Sequence, residues 1–369
     1  MRTVGVEQEL LLFERGTTHL ARLGDAIADR PHRGSPQDPS DHPSSTVEHE
    51  FKRAQIEAAT SPHERISDLL KDVEGGRHEI ARRAAARDSV VTALATDPAA
   101  GVAVTTKDDR YERMVALYGM VADSQLACGL HVHVAITSKD EGVQVIDRIR
   151  PWLPVLLAMS ANSPYYQGRD TGYASFRSVM WGLWPTSGPT ELFGDYASYR
   201  AVADQLITTG AAIDEAMVYF DARLSSRYPT VEIRVMDIPA LSADVALLAA
   251  LCRALVDTAA TEAEQARPPA ALRGSVLRAM TWRASRHGIT ELLVRADGSA
   301  PAPAGEVVAD LVEHVRSALQ KNGDLERVER GVADLIGRRG GATMQRNAFA
   351  RRGSFVDVVA AASEWTLAP

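Results

Sequence analysis

The chain has 369 residues and a formal net charge of −7, with 45% apolar and 24% charged residues. This is the balance of an ordinary soluble globular protein, and it gives no general attraction to nucleic acid. Its two cysteines, Cys128 and Cys252, lie far apart and form no CxxC, which excludes a disulfide framework or a cysteine zinc knuckle and fits a reducing cytoplasm. The first motif begins at Gly5 and no run of about twenty apolar residues follows, so neither a signal peptide nor a membrane span is expected.

In chain order, residues 3–12 alternate: Val4, Val6, Leu10 and Leu12 fall on one face and Gly5, Glu7 and Glu9 on the other, as a half-buried strand requires. Residues 30–45 are rich in Pro, Ser, Asp and His without periodicity, which predicts a mobile loop that could act as a lid. From Ser61 the spacing of Ile66, Leu69, Leu70 and Val73 predicts a helix, with a kink at Gly75-Gly76. VTALATDPA predicts a strand ending in a turn, and RYERMVALYGMVADSQLA a further helix.

CGLHVHVAI then sets Leu130, Val132, Val134 and Ile136 against His131 and His133. A helix interrupted at Pro151 and Pro154 follows, then an aromatic-rich segment carrying Arg169 and Arg177. TVEIRVMDI sets Val231, Ile233 and Val235 against Glu232, Arg234 and Met236. LLAALCRAL predicts a buried core helix, and helices dominate the remainder, with a Pro, Ala and Gly-rich break near 297–305. Strands with one apolar face suit an antiparallel sheet covered by helices on that side, so the expected fold class is α+β, in a single domain spanning 1–369.

The polar faces carry the chemistry. If residues 50–57 were one helix, Glu50 and Glu57 would share a face about 10 Å apart along the axis. A magnesium ion bonds oxygen at about 2.1 Å and could not span that gap. Ile56, Ala58 and Thr60 alternate with Glu57, which places Glu57 on a strand and Glu50 on the segment leading into it. Several carboxylates with a histidine suit magnesium, with manganese as the alternative, better than zinc. There is no GxxxxGK[ST] loop and no Rossmann glycine motif, so a nucleotide would be held through metals and through arginines such as Arg177, Arg234, Arg283 and Arg286. Taken alone, the HxH of His131 and His133 fits a zinc pair or a plain polar face equally well. Residues 338–352 read either as a phosphate-handling loop or as a basic turn, and Trp181 and Trp184 read as core.

Together GVEQELLL, the Glu50–Thr60 segment, CGLHVHV, ANSPYYQGRDTGYASFRSVMW, PTSGP, TVEIRVMD, WRASRHG and GATMQR resemble the carboxylate-amine ligase branch of the type 2 glutamate-cysteine ligases, related in fold to glutamine synthetase. The likeness runs in order from Val4 to about Arg346. It implies a curved antiparallel sheet as the active face and an ATP-dependent ligase that forms an amide through an acyl phosphate, with weak glutamate-cysteine ligase activity. It also implies that Glu7, Glu9, Glu50, Glu57, His131 and Glu232 hold two or three magnesium ions. Arg234 would face the transferred phosphoryl group or the substrate carboxylate. Arg283 and Arg286 would contact ATP, Arg177 would join Arg234 among the catalytic residues, and a carboxylate such as Glu50, or phosphate, would accept the amine proton. The partners expected are small carboxylate and amine substrates in a cytoplasmic homodimer, with no nucleic acid and no membrane. The rival readings are a metal-dependent amide hydrolase built on the HxH, for which parallel strands in a barrel are expected, a noncatalytic binding protein, and a small-molecule kinase of the same superfamily.

Overall fold

The computed structural model describes residues 1–28 and 46–368; the loop expected over 30–45 falls outside them. Seven strands form one antiparallel sheet: β1 (Val4–Glu14), β2 (Thr46–His49), β3 (Gln55–Ala59), β4 (Ser89–Thr92), β5 (Gly129–Ala135), β6 (Ala222–Leu224) and β7 (Thr230–Asp237). Their order is β2–β3–β1–β5–β7–β6. Leu11 of β1 pairs with Gln55 on one edge and Thr92 on the other, so β4 extends the edge that β5 occupies from Val4 to Gln8. This antiparallel sheet is the α+β arrangement expected, and it is not the parallel barrel of the hydrolase reading.

Register decides which side chains meet. Directly opposed residues share a face, and the pairs are Glu9 with Glu57, Glu48 with Glu57, Glu7 with His131, and Glu232 with both His133 and Arg223. The other face pairs Leu10 with Ile56, Val6 with Val132 and Val4 with Val134. That apolar face is covered by the helices Ile66–Ala85, Leu153–Ser160, Ser242–Glu264 and Phe355–Thr366. The apolar core of the described residues runs from Val4 to Ala362. Among the buried polar residues, Gln8 receives a 2.8 Å hydrogen bond from Arg77, whose guanidinium also donates to the carbonyls of Pro239 and Ala240.

Several expectations need correction. The helix begins at Ile66 rather than Ser61, because His63 bridges to Val4 and extends the sheet edge first. It runs unbroken through Gly75 and Gly76 to Ala85, with Gly76 facing Ala58 of the sheet. The fourth strand is Ser89–Thr92, earlier than the VTALATDPA reading placed it. The next helix divides at Gly119, whose φ of 53° ends Asp109–Tyr118 before Met120–Ser124 begins. The break near 297–305 contains a strand, Pro301–Pro303, paired with Leu292–Val294. Met236 does not share a face with Glu232: the register slips between Leu130 and Val132, so Met236 pairs with Leu130 on the apolar side. Residues 340–350, within the segment read as a loop or turn, form a helix.

Candidate active site

The polar face of the sheet gathers five carboxylates and two histidines. Glu7 and Glu9 come from β1, Glu57 from β3, His131 and His133 from β5 and Glu232 from β7, while Glu50 lies on the segment between β2 and β3. Glu50 is fixed there by its own chain: its carboxylate accepts the Phe51 N–H at 2.8 Å, and the Thr106 hydroxyl donates to its carbonyl at 2.6 Å. Ligand atoms of Glu7, His131 and Glu232 lie within 4.8 Å of one another, and so do those of Glu9, Glu57 and His131. His131 Nδ1 lies 3.1 Å from Glu7, whereas its buried Nε2 has no hydrogen-bond partner and Glu9 stands off at 3.8 Å. His133 bridges Thr230 Oγ1 at 3.0 Å and Glu7 at 3.3 Å.

Glu7, Glu9, Glu50 and Glu57 line a cavity of about 190 Å³, which His131 and Arg234 also line. Its opposite wall belongs to a second apolar cluster that includes Phe51, Met114, Trp184 and Tyr219, with Tyr111 and Trp181 packed against it. Trp181 and Trp184, read as core, thus also line the site. Arg234 donates to Glu232 through Nη1, its Nε is unpartnered, and its guanidinium lies 5.9 Å from the Tyr219 ring centre. Glu232 is held from its other side by Arg223, at 2.8 and 3.2 Å. Sequence reasoning missed Arg223. Its signal was the hairpin ARLSSRYPTVEIRV, which sets Arg223 opposite Glu232 across a short turn.

Burial and mutual repulsion dominate the electrostatics. Burial, with Glu7, Glu50 and Glu9 around it, pushes Glu57 well above the usual carboxylate range. Burial and Glu50 raise Glu9 to about 7 against the opposing pull of Arg177, and burial raises Glu50 as well. Glu7 goes the other way: burial would raise it, but His133 and His131 hold it well below. Burial and then Arg234 depress His131 to about 4, so it is neutral at pH 7.

Arg177, on the helix Phe176–Trp181, is buried outside the cavity lining, and its Nε and Nη2 have no hydrogen-bond partner. It passes so close to β5 that a Cβ at Gly129 would fall 2.3 Å from Nη2, which explains the glycine. Gly129 N–H in turn donates to Glu9 at 2.5 Å. Asp237, fully buried at the end of β7, holds the surrounding loops together by accepting from Asn162 N–H, Ser163 Oγ and Ser175 Oγ at 2.9, 2.7 and 2.7 Å. Arg283 and Arg286 sit on the helix Gly274–His287 and do not line the carboxylate cavity; Arg286 stacks over Tyr173 at 5.4 Å.

The whole chain superposes on a solved glutamate-cysteine ligase of Francisella tularensis in complex with AMP, with a TM-score of 0.68 at 13% identity and 89% of that chain covered. A bifunctional glutathione synthetase of Pasteurella multocida matches 99% of this chain and 52% of its own, with a TM-score of 0.69 at 16% identity. These likenesses define the fold class as that of the glutamate-cysteine ligases. Residues 3–361 match the model of glutamate-cysteine ligase family 2, and the chain belongs to that family. Its relatives include "Putative glutamate--cysteine ligase 2" of Streptomyces coelicolor, 46% identical over 362 residues and 98% of each chain. Another is "Putative glutamate--cysteine ligase 2-1" of Paenarthrobacter aurescens, 41% identical over 362 residues, 98% of this chain and 94% of that one. The protein is accordingly an ATP-dependent ligase that forms carbon–nitrogen bonds.

Proposed function

We propose that this enzyme joins a small carboxylic acid to an amine through an acyl phosphate, with glutamate as the acid and weak activity toward cysteine as the amine. The observation that carries this reading is the convergence of Glu7, Glu9, Glu50, Glu57 and His131 on one cavity beside Arg234, with Glu232 clustered behind Glu7 and His131. Magnesium fits this donor set. The oxygens are hard ligands, the unpartnered His131 Nε2 faces Glu9, and the mutual repulsion that raises Glu57 and Glu9 is what a cation would relieve. Glu9, Glu57 and His131 would hold one ion and Glu7 and Glu232 another, with Glu50 hydrogen-bonded beside Glu57. Bound there, magnesium neutralises phosphate oxygens and makes the γ-phosphorus a better electrophile.

The substrate carboxylate attacks that phosphorus and ADP leaves; the amine then attacks the acyl carbon and inorganic phosphate leaves. Arg234 orients the phosphoryl group or the substrate carboxylate, its free Nε being the available donor. Glu50, raised by burial, takes the proton that the amine loses. Arg177 favours the charged form of Glu9 against burial, and Arg283 and Arg286 contact the nucleotide outside the carboxylate cavity. We read the chain as one catalytic domain, acting as a cytoplasmic homodimer; light scattering of the purified protein tests the dimer.

The deciding experiment measures phosphate release from ATP and magnesium with glutamate, with and without a panel of amines, and identifies products by mass spectrometry. Amine-dependent release with an amide product is expected. A phosphorylated acid in place of an amide would identify a kinase, and no release with any acid would end the ligase reading.

A further inference from the structure

Opposite the sheet, the carboxylate cavity is walled by the helix Asp109–Tyr118, which supplies Arg110, Tyr111 and Met114, and by the segment around the turn Glu215–Met217, which supplies Ala216 and Tyr219. Arg110 is the cation of that wall. Its Nε and Nη2 donate to the two carboxylate oxygens of Asp214, just before the turn, at 2.8 and 3.1 Å. Its Nη1 has only the Met114 thioether, at 3.6 Å, which is a weak acceptor. Among the described residues Arg110 pairs with Asp214 and with none of the carboxylates across the cavity.

Arg234 stands on the sheet side of the same space. Tyr219 feels both guanidinia: Arg234 lies 5.9 Å from its ring centre, and Arg234 and Arg110 both oppose the rise to about 12 that burial gives its hydroxyl. An anion in the cavity therefore meets one arginine on the sheet and a second on the facing helix. In phosphoryl transfer the charge spreads over three equatorial oxygens, and donors on one side reach only part of it. A guanidinium with one uncommitted nitrogen on the other side suits the remaining oxygen, and a carboxylate that already orders that guanidinium lowers the cost of using it.

We propose that Arg110 contacts the transferred phosphoryl group from the wall opposite the sheet, and that Asp214 is the positioning residue that holds its guanidinium there. The proposal rests on the phosphoryl transfer of the ligase reading, but its first test needs no turnover. ADP is titrated calorimetrically into the full chain with magnesium and glutamate, with and without aluminium fluoride, which stands in for a phosphoryl group in transit. Fluoride should tighten ADP binding to the unaltered enzyme by roughly a hundredfold or more. Arg110→Ala should lose about tenfold or more of that tightening while binding ADP alone within about twofold of the unaltered enzyme. Arg110→Lys should keep part of the tightening, and Asp214→Ala should lose part of it. A pair that only clasped the wall would instead lower the melting temperature and both affinities together, leaving the fluoride-dependent ratio unchanged. The pair is partly exposed and contributes little to stability, so the variants should fold.

An unchanged ratio in Arg110→Ala overturns the assignment and leaves the ligase reading standing, and full tightening in Asp214→Ala removes Asp214 from its positioning role. Should fluoride leave ADP binding to the unaltered enzyme as it is, kcat for phosphate release decides. Arg110→Ala should then lower kcat about a hundredfold with KM for ATP little changed, and a drop under about threefold overturns the assignment. An unaltered enzyme that neither tightens nor releases phosphate ends the ligase reading and the assignment with it.

Discussion

Replacing Asp237 tests whether one buried carboxylate holds the active-site wall in place. Its Oδ2 accepts from Asn162 N–H and Ser163 Oγ, and its Oδ1 from Ser175 Oγ. Both serines are relays: Ser163 Oγ accepts Arg177 N–H at 3.0 Å, and Ser175 Oγ accepts Ser178 N–H at 3.2 Å, which caps the helix carrying Arg177. In Asp237→Ala, three buried donors lose a charged acceptor at about 1–3 kcal/mol each, and the hydroxyls can rotate to recover part of that, so the expected cost is about 3–5 kcal/mol. In Asp237→Asn the retained carbonyl can keep Asn162 and Ser163, while its amide donates to Ser175 Oγ, so the cost falls to about 1–2 kcal/mol. Urea unfolding followed by tryptophan fluorescence gives both values, and phosphate release should fall more in Ala than in Asn as the Arg177 helix loosens. An Ala variant within 1 kcal/mol of the unaltered protein, or an Asn variant as damaged as Ala, would refute this account.

Magnesium at a hundred times its dissociation constant should stabilise the enzyme by about 2.7 kcal/mol relative to the metal-free form. Glu57→Gln should lose that gain while being at least as stable as the unaltered protein without metal, since repulsion around Glu57 is relieved; scanning calorimetry in chelator and in magnesium reads both. Arg234→Ala should fold, because Arg223 still pairs with Glu232, yet lose about a hundredfold or more in kcat; a loss under threefold would remove Arg234 from the chemistry. Asp97, buried and opposed only in part by the Ala99 and Gly101 N–H groups, has its carboxyl raised to about 6. Its folded form holds the proton more tightly than the unfolded chain does, so its contribution is greatest below about 3.8 and is lost as pH rises through 6. The amount is about 3 kcal/mol at 1.36 kcal/mol per unit. Asp97→Asn should remove the stability that Asp97 is expected to gain as pH falls from 6 to 4, and an unchanged pH dependence of the melting temperature would count against the burial argument.

What could be read from the sequence is what period-two alternation records. β1, β3, β5 and β7 each bury one face, so Glu7, Glu9, Glu57, His131 and Glu232 declare themselves by the apolar residues between them. The opposite wall has no such period. Tyr111, Trp181 and Tyr219 come from two helices and a loop, and only tertiary packing brings them over the carboxylates. β6 is three residues long, too short for alternation to stand out, and so Arg223 escaped notice. The fully buried Asp237 reads as one more strand residue until the loops that donate to it are in place.

The misplacement of Met236 shows how strict alternation fails where function needs it to. Counted in twos, Glu232, Arg234 and Met236 share a face, yet the register slip opposite His131 inserts one extra residue into β7 between Ile233 and Met236. Without that residue, a strand placing Glu232 and Arg234 toward the cavity would place Met236 there too, among the carboxylates. With it, Arg234 stays beside Glu232 and His131 while Met236 turns into the core against Leu130. A bulge of this kind re-aims side chains at the cost of a local interruption in the ladder. Here one irregularity serves both the guanidinium that the chemistry needs and the apolar layer that the fold needs.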